Sequence, residues 1–138
     1  MAIFADVMNK ILMLKMAASA AKNAYCPYSK LRVGAALLTS EGDIFTGCNV
    51  ENASYGLTIC AERAAFSAAV GAGHRKFKAI AIVASSPGTP YPCGACRQVM
   101  SEFCSGDFKV ICMSLANSSK AQVFTLSKLL PRNFQLKG

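Results

Sequence analysis

The sequence predicts an α/β protein, a three-layer α-β-α sandwich with a mixed sheet of about five strands and helices on both faces. Three observations predict this fold. The length of 138 residues is close to the roughly 150 residues typical of one domain, so we expect a single domain over residues 1–138. A hairpin pattern comes first, and strands then alternate with helices, which is typical of layered α/β proteins. The hydrophobic content of 53% without any Trp fits a tightly packed core of small residues.

The first half of the chain predicts one helix followed by a hairpin. Apolar residues spaced by three and four predict a helix over about residues 4–23, with a buried stripe of Ile3, Val7, Ile11, Leu14, Ala18 and Ala21. Two apolar runs at residues 32–39 and 44–49 flank Gly42, which favours a tight turn between two strands. Gly34 inside the first strand indicates a close approach of another backbone segment.

The second half predicts alternating helices and strands. Several alanines favour a helix over residues 60–70, which two glycines end. We interpret His74, in the turn that follows, as a surface residue rather than a ligand. The remaining predicted elements are a strand at 78–85, a loop at 86–91, a helix at 93–103, a strand at 108–114, an edge strand at 123–125 and a short helix at 126–130.

The charge of the chain argues against an extended nucleic-acid surface. The formal net charge is +8, but Lys and Arg are scattered and never form a run of five. No basic patch interleaved with aromatic residues is present, so we expect no nucleic-acid partner. A zinc-stabilised RNA-binding module without enzymatic activity remains an alternative that this charge keeps open.

Cysteine usage and hydropathy indicate where the protein works. Seven cysteines is an odd number, and the sequence begins without the pattern of a secretory signal, so we expect reduced thiols in the cytoplasm. The apolar run at residues 79–84 is far shorter than the roughly 18 residues of a membrane span, so we expect no membrane partner.

Two short motifs carry the chemistry. Cys60 stands two residues before Glu62, and Cys93 and Cys96 form a CxxC that spans one helical turn. A catalytic zinc ion has three protein ligands and one open position, whereas a structural zinc ion has four protein ligands. Three thiols without an obvious fourth partner therefore predict an open zinc site, with Glu62 as the group that moves protons there.

The other four cysteines are interpreted as buried apolar thiols: Cys26, Cys48, Cys104 and Cys112. A closed zinc site that takes Cys48 or Cys104 as a fourth ligand is the alternative. Neither cysteine is spaced like a ligand pair, because one lies near a strand end and the other at the far end of its predicted helix.

The ordered set of motifs resembles the cytidine deaminase family, in its small homotetrameric zinc-dependent form. A Cys-x-Glu followed by Pro-Cys-x-x-Cys is the signature of zinc-dependent nucleobase deaminases. The resemblance covers nearly the whole chain, through the segments YCPYSK (25–30), VGAALL (33–38), GCNVENA (47–53), CAER (60–63), PCGACRQ (92–98) and LLPRNF (129–134).

The resemblance implies an activity and an assembly. It implies hydrolytic deamination of cytidine and 2′-deoxycytidine to uridine and 2′-deoxyuridine, with release of ammonia, in pyrimidine salvage. It also implies one Zn²⁺ per subunit, a free nucleoside as the small-molecule substrate and a homotetramer. The fold it implies is the same three-layer sandwich that the pattern of elements predicts.

The resemblance also assigns roles to individual residues. Zinc ligands are Cys60, Cys93 and Cys96, the catalytic proton carrier is Glu62, and a hydrogen bond to a ligand thiolate comes from Arg63. Asn49 and Glu51 are implied to bind the 3′-hydroxyl side of the sugar, and the backbone amide of Ala61 to contact the base carbonyl. Phe134 is implied to reach the pocket of a neighbouring subunit. Tyr55 is implied to lie near the subunit boundary, close to the pocket.

Two positions depart from the family's pattern. Leu31 stands where the family usually has an aromatic residue that stacks on the base, and Ala64 stands where Thr is common. A leucine covers a ring face without the extra ~0.5–1.5 kcal/mol of aromatic stacking. A relative that deaminates another aminopyrimidine nucleoside or a nucleoside antibiotic is therefore the alternative within enzymes.

Overall fold

A computed structural model of the chain describes residues 2–116 and 120–136. The helices are α1 (Ala2–Ala21), α2 (Ala61–Gly71), α3 (Gly94–Phe103) and α4 (Leu126–Leu129), and Tyr55–Leu57 form one 3₁₀ turn. The strands are β1 (Val33–Thr39), β2 (Ile44–Cys48), β3 (Phe77–Ala84), β4 (Lys109–Ser114) and β5 (Gln122–Thr125). Each predicted element is present, with bounds that differ by one or two residues.

The five strands form one mixed sheet in the order β2-β1-β3-β4-β5. The pair β3–β4 is parallel and the other three pairs are antiparallel. Strand β2 therefore runs in the same direction as β3, so their carboxyl ends lie at one edge of the sheet. Helix α2 follows β2, and α3 follows β3, so both helices begin at this edge, where ligands bind in open α/β sheets.

The sheet separates two hydrophobic cores, which makes the protein a three-layer sandwich as predicted. On one face, α2 and α3 cover the sheet, with Phe66 and Met100 fully buried beneath them. On the other face, α1 covers the sheet through Met13, Ala17 and Ala21. Part of the larger core is a group of Phe rings, in which the Phe66 ring lies 5.1–6.4 Å from three others.

Two glycines set how closely the helices approach the sheet. A Cβ atom at Gly34 would overlap the carbonyl oxygen of Ala17 and lie 2.7 Å from the backbone nitrogen of Ala21, so α1 rests directly on β1. This confirms the close approach predicted at Gly34. A Cβ atom at Gly47 would overlap the carbonyl oxygen of Ala61 and lie 2.7 Å from the nitrogen of Ala65. Gly47 therefore fixes the first turn of α2 against β2.

The predicted stripe of α1 is buried only in part: Ala21 lies in the core, and Leu14 and Ala18 pack against it. Ile3 and Val7 are 80% and 49% exposed, whereas Met13 and Ala17 are 1% and 0% exposed. The contact with Gly34 explains the difference, because a helix this close to a strand needs alanines at the point of contact. Three larger residues of the predicted stripe are exposed instead, namely Ile3, Val7 and Ile11, while Met13 is buried in the core.

His74 is half-buried, although the sequence predicts a surface residue. Its side chain is only 13% exposed and lies between two carboxylates of the β1–β2 hairpin, with Nδ1 3.2 Å from Oε1 of Glu41 and Nε2 3.5 Å from Oδ2 of Asp43. Its ring also packs on Phe45, with 5.2 Å between ring centroids. His74 thus ties the end of α2 to the hairpin. Among the described residues, no helix combines the length and the apolar character needed to cross a membrane.

Candidate active site

The two motifs meet at the carboxyl edge of the sheet because each begins a helix there. Cys60 is the N-cap of α2, and Cys93 is the N-cap of α3. Cys96 lies in the first turn of α3. The N-terminal end of a helix carries a partial positive charge, which favours the thiolate form of a nearby cysteine.

The three sulfur atoms form one cluster. The Sγ atoms of Cys60, Cys93 and Cys96 all lie within 4.8 Å of one another, and those of Cys60 and Cys93 are 3.7 Å apart. Cys96 is buried, Cys60 is half-buried and Cys93 is exposed, so the cluster opens on one side. Three soft donors that converge on one point suit a single zinc ion with one open position.

The closed-site alternative finds no support in the geometry. Within residues 2–116 and 120–136, the one group that could hold a metal ion contains no fourth side chain. Cys48 and Cys104 lie outside it. Both are half-buried, so they are not the fully buried thiols predicted, whereas Cys26 and Cys112 are buried. Burial raises the pKa of the Cys104 and Cys112 thiols to about 12, which keeps them protonated.

Arg63 lies against the cluster. Its Nη2 donates to Sγ of Cys60 at 3.2 Å and to the carbonyl oxygen of Thr58 at 3.4 Å. A hydrogen bond from the Cys96 thiol, followed by those from Arg63 and Cys93, lowers the pKa of Cys60 to about 5. The same contact with Cys60 raises the pKa of Arg63 further. A thiolate at Cys60 is the species that binds metal, so the residues present fit a zinc ion.

Glu62 lies in the first turn of α2 with only 5% of its surface exposed. Burial raises the pKa of its carboxyl group, and the negative charge of Cys60 raises it further. A carboxyl group with a raised pKa holds a proton more readily near neutral pH and can also release it, as general acid–base catalysis requires. Glu62 is therefore suited to carry protons beside the sulfur cluster.

A cavity of about 250 Å³ lies in front of Glu62. Six residues named from the sequence line it: Leu31, Asn49, Cys60, Ala61, Glu62 and Cys93. Seven lining residues were not named from the sequence: Val33, Thr58, Ile82, Ala84, Ser86, Pro90 and Tyr91. The lining is mostly apolar, with Glu62 and the thiols of Cys60 and Cys93 at the wall.

Asn49 is buried and holds the segment that carries Leu31. Its Oδ1 accepts a hydrogen bond from the backbone nitrogen of Val33 at 2.9 Å, and its Nδ2 donates to the carbonyl oxygen of Leu31 at 2.8 Å. One hydrogen of its amide group remains for another acceptor. Asn49 therefore fixes the backbone of Leu31 and Val33 in the cavity wall, and it also lines the cavity itself.

Glu51 does not line the cavity of the single chain. Its Oε1 accepts hydrogen bonds from the backbone nitrogens of Tyr28 and Ser29 at 3.0 and 3.1 Å, and its Oε2 accepts one from the Ser29 hydroxyl. The bond from the Ser29 hydroxyl is the main reason that the pKa of Glu51 lies below its ordinary value. Glu51 thus holds the turn that leads to Leu31.

Two other residues named from the sequence also lie outside the cavity. Tyr55 is 75% exposed, and its ring contacts Tyr28 edge-on, with 6.3 Å between centroids. Phe134 is 69% exposed, and its carbonyl oxygen accepts a hydrogen bond of 3.1 Å from Nε2 of Gln98. Neither residue lines this cavity.

Arg97 has a structural role in this structure. Its Nε donates to the carbonyl oxygen of Pro92 at 2.7 Å, and its Nη1 donates to that of Leu129 at 2.6 Å. It therefore links the start of α3 to α4. Arg63 therefore contacts a thiol, whereas Arg97 holds the backbone.

Tyr91 is the main residue of the cavity wall that the sequence analysis missed. Its position directly before Pro92 and Cys93 was the available signal, because the residues next to a metal motif tend to face the same space. Its role depends on how the loop after β3 folds back toward the sheet, which periodicity does not reveal.

Comparison with known proteins agrees with this site. A family model described as the cytidine and deoxycytidylate deaminase zinc-binding region matches residues 8–114. A cytidine deaminase from Sporosarcina psychrophila is 51% identical over 115 residues, which are 83% of this chain and 83% of the relative. A cytidine deaminase from Halalkalibacterium halodurans is 48% identical over 127 residues, which are 92% of this chain and 95% of the relative.

A solved structure is similar in fold as well as in sequence. The 1.6 Å crystal structure of cytidine deaminase from Burkholderia pseudomallei has a TM-score of 0.85 and 45% identity to this chain. The match covers 90% of this chain and 98% of that one. The matched family region contains all three cysteines of the cluster, so the protein is a zinc-binding protein with one such site among its described residues. The chain belongs to the cytidine and deoxycytidylate deaminase family.

Proposed function

We propose that this protein is a zinc-dependent hydrolase that deaminates cytidine and 2′-deoxycytidine to uridine and 2′-deoxyuridine and releases ammonia. One observation carries the proposal: the buried carboxyl group of Glu62 and the thiols of Cys60 and Cys93 line the same cavity. A proton carrier beside a three-thiol metal site is what hydrolytic removal of a ring amine requires.

The cluster of Cys60, Cys93 and Cys96 holds the zinc ion. Bound zinc supplies Lewis acidity, which lowers the pKa of water from 15.7 toward about 7 and so provides a nucleophile at neutral pH. Arg63 offsets part of the negative charge of three thiolates through its contact with Cys60. Without that offset, the excess negative charge would oppose ionisation of water.

Glu62 moves the protons of the reaction. It takes a proton from the attacking water and delivers it to the ring nitrogen next to the reacting carbon. It then takes the remaining proton from the hydroxyl group added to that carbon and gives it to the amine, which leaves as ammonia while the carbonyl group of uridine forms. Its raised pKa suits these transfers, because the group must hold the proton between them. General acid–base catalysis of this kind contributes about 10²–10⁴-fold to the rate.

The backbone amide of Ala61 orients the base. Ala61 is the first residue of α2, where a backbone N–H has no acceptor within the helix, and it lines the cavity. That N–H donates to the carbonyl group of the base. A pyrimidine held there presents its amine-bearing carbon toward the sulfur cluster.

Asn49 and Glu51 bind the sugar. Asn49 lines the cavity and retains one amide hydrogen for the 3′-hydroxyl group. Glu51 uses both oxygens to hold residues 28 and 29, but a carboxylate has about four lone-pair sites and can accept a further hydrogen bond from a hydroxyl group. Leu31, which also lines the cavity, covers one face of the base.

The working enzyme is a homotetramer in which Phe134 and Tyr55 of one subunit complete the pocket of another. The large exposed apolar side chains near the 26–31 turn and the start of α2 support this arrangement: Tyr28, Tyr55, Leu57 and Ile59. Apolar side chains exposed together indicate an interaction surface. Closed symmetric assemblies of identical chains are the common way to cover such a surface.

The cellular setting follows from this chemistry. A single-domain enzyme that acts on free nucleosides in the cytoplasm serves pyrimidine salvage. The binding partners are then the nucleoside and further copies of the chain, with no role for nucleic acid or a membrane.

The test is the ultraviolet absorbance of cytidine incubated with the zinc-loaded protein, with and without a chelator. Cytidine should be converted to uridine, and the chelator should stop the conversion. Salt-sensitive binding to single-stranded RNA without any change in cytidine would overturn the proposal in favour of the RNA-binding module. A panel of other aminopyrimidine nucleosides tests specificity, and we expect cytidine and 2′-deoxycytidine to have the highest kcat/KM.

A further inference from the structure

We infer that the ring of Tyr91 is the aromatic surface on which the pyrimidine base lies, and that Phe124 of β5 holds this ring in place. The inference rests on the proposed function, because it assumes a nucleoside in the cavity in front of Glu62. It assigns a substrate-binding role to a residue outside both metal motifs.

Tyr91 is the one aromatic side chain among the described residues that line the cavity. The other large apolar residues there are aliphatic: Leu31, Val33 and Ile82. A planar base prefers an aromatic ring to an alkyl group, since stacked rings gain energy beyond the area that they bury. A base in this cavity therefore has one ring available to it within the chain.

The ring of Tyr91 is free on one side and supported on another. Tyr91 lines the cavity and is 54% exposed, so packing within the chain leaves part of this residue uncovered. Its centroid lies 5.4 Å from that of Phe124, with the planes tilted by 50°. Phe124 is paired with Val110 of β4, so the supporting ring belongs to the sheet rather than to a loop.

The loop that carries Tyr91 is tied down at two more points. The backbone nitrogen of Tyr91 donates to the carbonyl oxygen of Thr89 at 3.0 Å. The hydroxyl group of Thr89 accepts a hydrogen bond of 3.3 Å from Nε2 of Gln122, also on β5. A ring that is positioned before the substrate arrives costs less conformational entropy on binding.

Stacking on a base acts on substrate and transition state alike, because the ring of the base stays planar at most positions during the reaction. Loss of such an interaction raises KM and leaves kcat almost unchanged. Tyr91→Leu should therefore raise KM for cytidine by about two- to tenfold. Tyr91→Phe keeps the ring and should have a KM well below that of Tyr91→Leu.

Three further variants make the test specific. Phe124→Leu removes the support, so its KM should lie between those of the wild type and Tyr91→Leu. The double variant Leu31→Phe/Tyr91→Leu returns a ring to the cavity from another segment, so its KM should fall below that of Tyr91→Leu. Phe4→Leu removes a 70% exposed ring from α1 and serves as the matched control, with unchanged KM.

The experiment measures KM and kcat for cytidine, together with bound zinc and equilibrium dialysis of uridine, which the enzyme does not consume. The inference predicts weaker uridine binding in Tyr91→Leu at unchanged zinc content. An unaltered KM and uridine affinity in Tyr91→Leu would overturn it, as would equal losses in Tyr91→Phe and Tyr91→Leu, which would point to the hydroxyl group. Absence of cytidine turnover in the wild type would instead refute the proposed function, while the dialysis still tests Tyr91.

Discussion

The guanidinium group of Arg63 contacts the thiol of Cys60, with 3.2 Å between Nη2 and Sγ. Both groups belong to the first turn of α2, three residues apart, so the helix itself sets their distance. Nε of Arg63 is buried and has no hydrogen-bond partner among the described residues. Burying a guanidinium in this way is costly unless negative charge lies close to it. The thiolate of Cys60 provides that charge, so Arg63 and the metal site stabilise one another.

Arg63→Gln should therefore weaken zinc binding. Residues that contact metal ligands typically contribute 10–100-fold to metal affinity, and we expect a loss in that range. Competition with a zinc chelator of known affinity measures it. Arg75→Gln is the control, because Arg75 is exposed and, within the part of the chain that the structure describes, donates only to the carbonyl oxygens of Val70 and His74. Equal zinc affinity in both variants would contradict the role given to Arg63.

Glu62→Gln should remove proton transfer while the metal site remains. The amide is nearly the same size as the carboxyl group but cannot exchange protons, so kcat should fall by at least about 10²–10⁴-fold. Zinc content, measured on the same sample, should stay at one ion per chain. Glu102→Gln, an exposed position on α3, provides the control. Turnover that survives in a zinc-loaded Glu62→Gln protein is incompatible with Glu62 as the proton carrier.

The zinc cluster could be predicted from the sequence because its geometry is local. Cys93 and Cys96 lie one helical turn apart wherever α3 sits, and Cys60 and Glu62 share the first turn of α2 in the same way. The alternation of apolar and polar segments is also a local feature, so it predicted the sequence of strands and helices along the chain. The sequence did not predict that the N-terminal ends of α2 and α3 lie side by side. They do so because β2 and β3, which precede these helices, run in the same direction.

The features that the sequence did not predict depend on contacts between distant segments. The buried face of α1 includes Ala17 and Ala21, which lie against Gly34 on β1, so the apolar pattern of the helix alone identified only part of that face. Tyr91 lines the cavity and packs its ring against Phe124, 33 residues later. Glu51 turns toward Ser29, 22 residues earlier, instead of lying beside Asn49 in the cavity. None of these pairings leaves a periodic signal.

Gly47→Ala should affect both stability and activity. An added Cβ would overlap the backbone of α2 at Ala61, and the helix must shift to relieve the overlap. Overpacking of this kind costs about 1–3 kcal/mol of unfolding free energy. Because Ala61 and Glu62 lie in the turn that must move, kcat/KM should fall as well. Urea unfolding and steady-state kinetics at saturating zinc measure the two effects.

Two alanine variants separate these effects. Gly34→Ala creates an overlap with α1 on the other face of the sheet, so it should lower stability and leave kcat of the folded protein nearly unchanged. Gly88→Ala adds a Cβ that meets nothing within 4 Å and should change the unfolding free energy by less than about 0.5 kcal/mol. The prediction fails if Gly47→Ala and Gly34→Ala reduce kcat to the same extent.

The contribution of Glu51 to stability should depend on pH. The hydroxyl group of Ser29, followed by two backbone N–H groups, lowers the pKa of Glu51 below its ordinary value of 4.5. The folded protein therefore favours the ionised carboxylate. The stabilisation is present in full above the pKa of the unfolded chain and is lost as pH falls through the lower pKa of the folded protein. Glu51→Gln has the same shape but does not titrate, so its difference from the wild type isolates this carboxylate.

Urea unfolding of the wild type and Glu51→Gln, at one protein concentration between about pH 7 and pH 3, measures the effect. The wild type should have the higher midpoint near neutral pH, and the difference should shrink in the acidic range. Ser29→Ala removes the main cause of the lowered pKa, so in that protein the decline should be smaller and should be complete at a higher pH. The urea midpoints of the wild type and Glu51→Gln could instead differ by the same amount from pH 7 to pH 3. In that case the charge of the Glu51 carboxylate does not hold the 26–31 turn. Its hydrogen bonds from Tyr28 and Ser29 then contribute no more than those of a neutral amide.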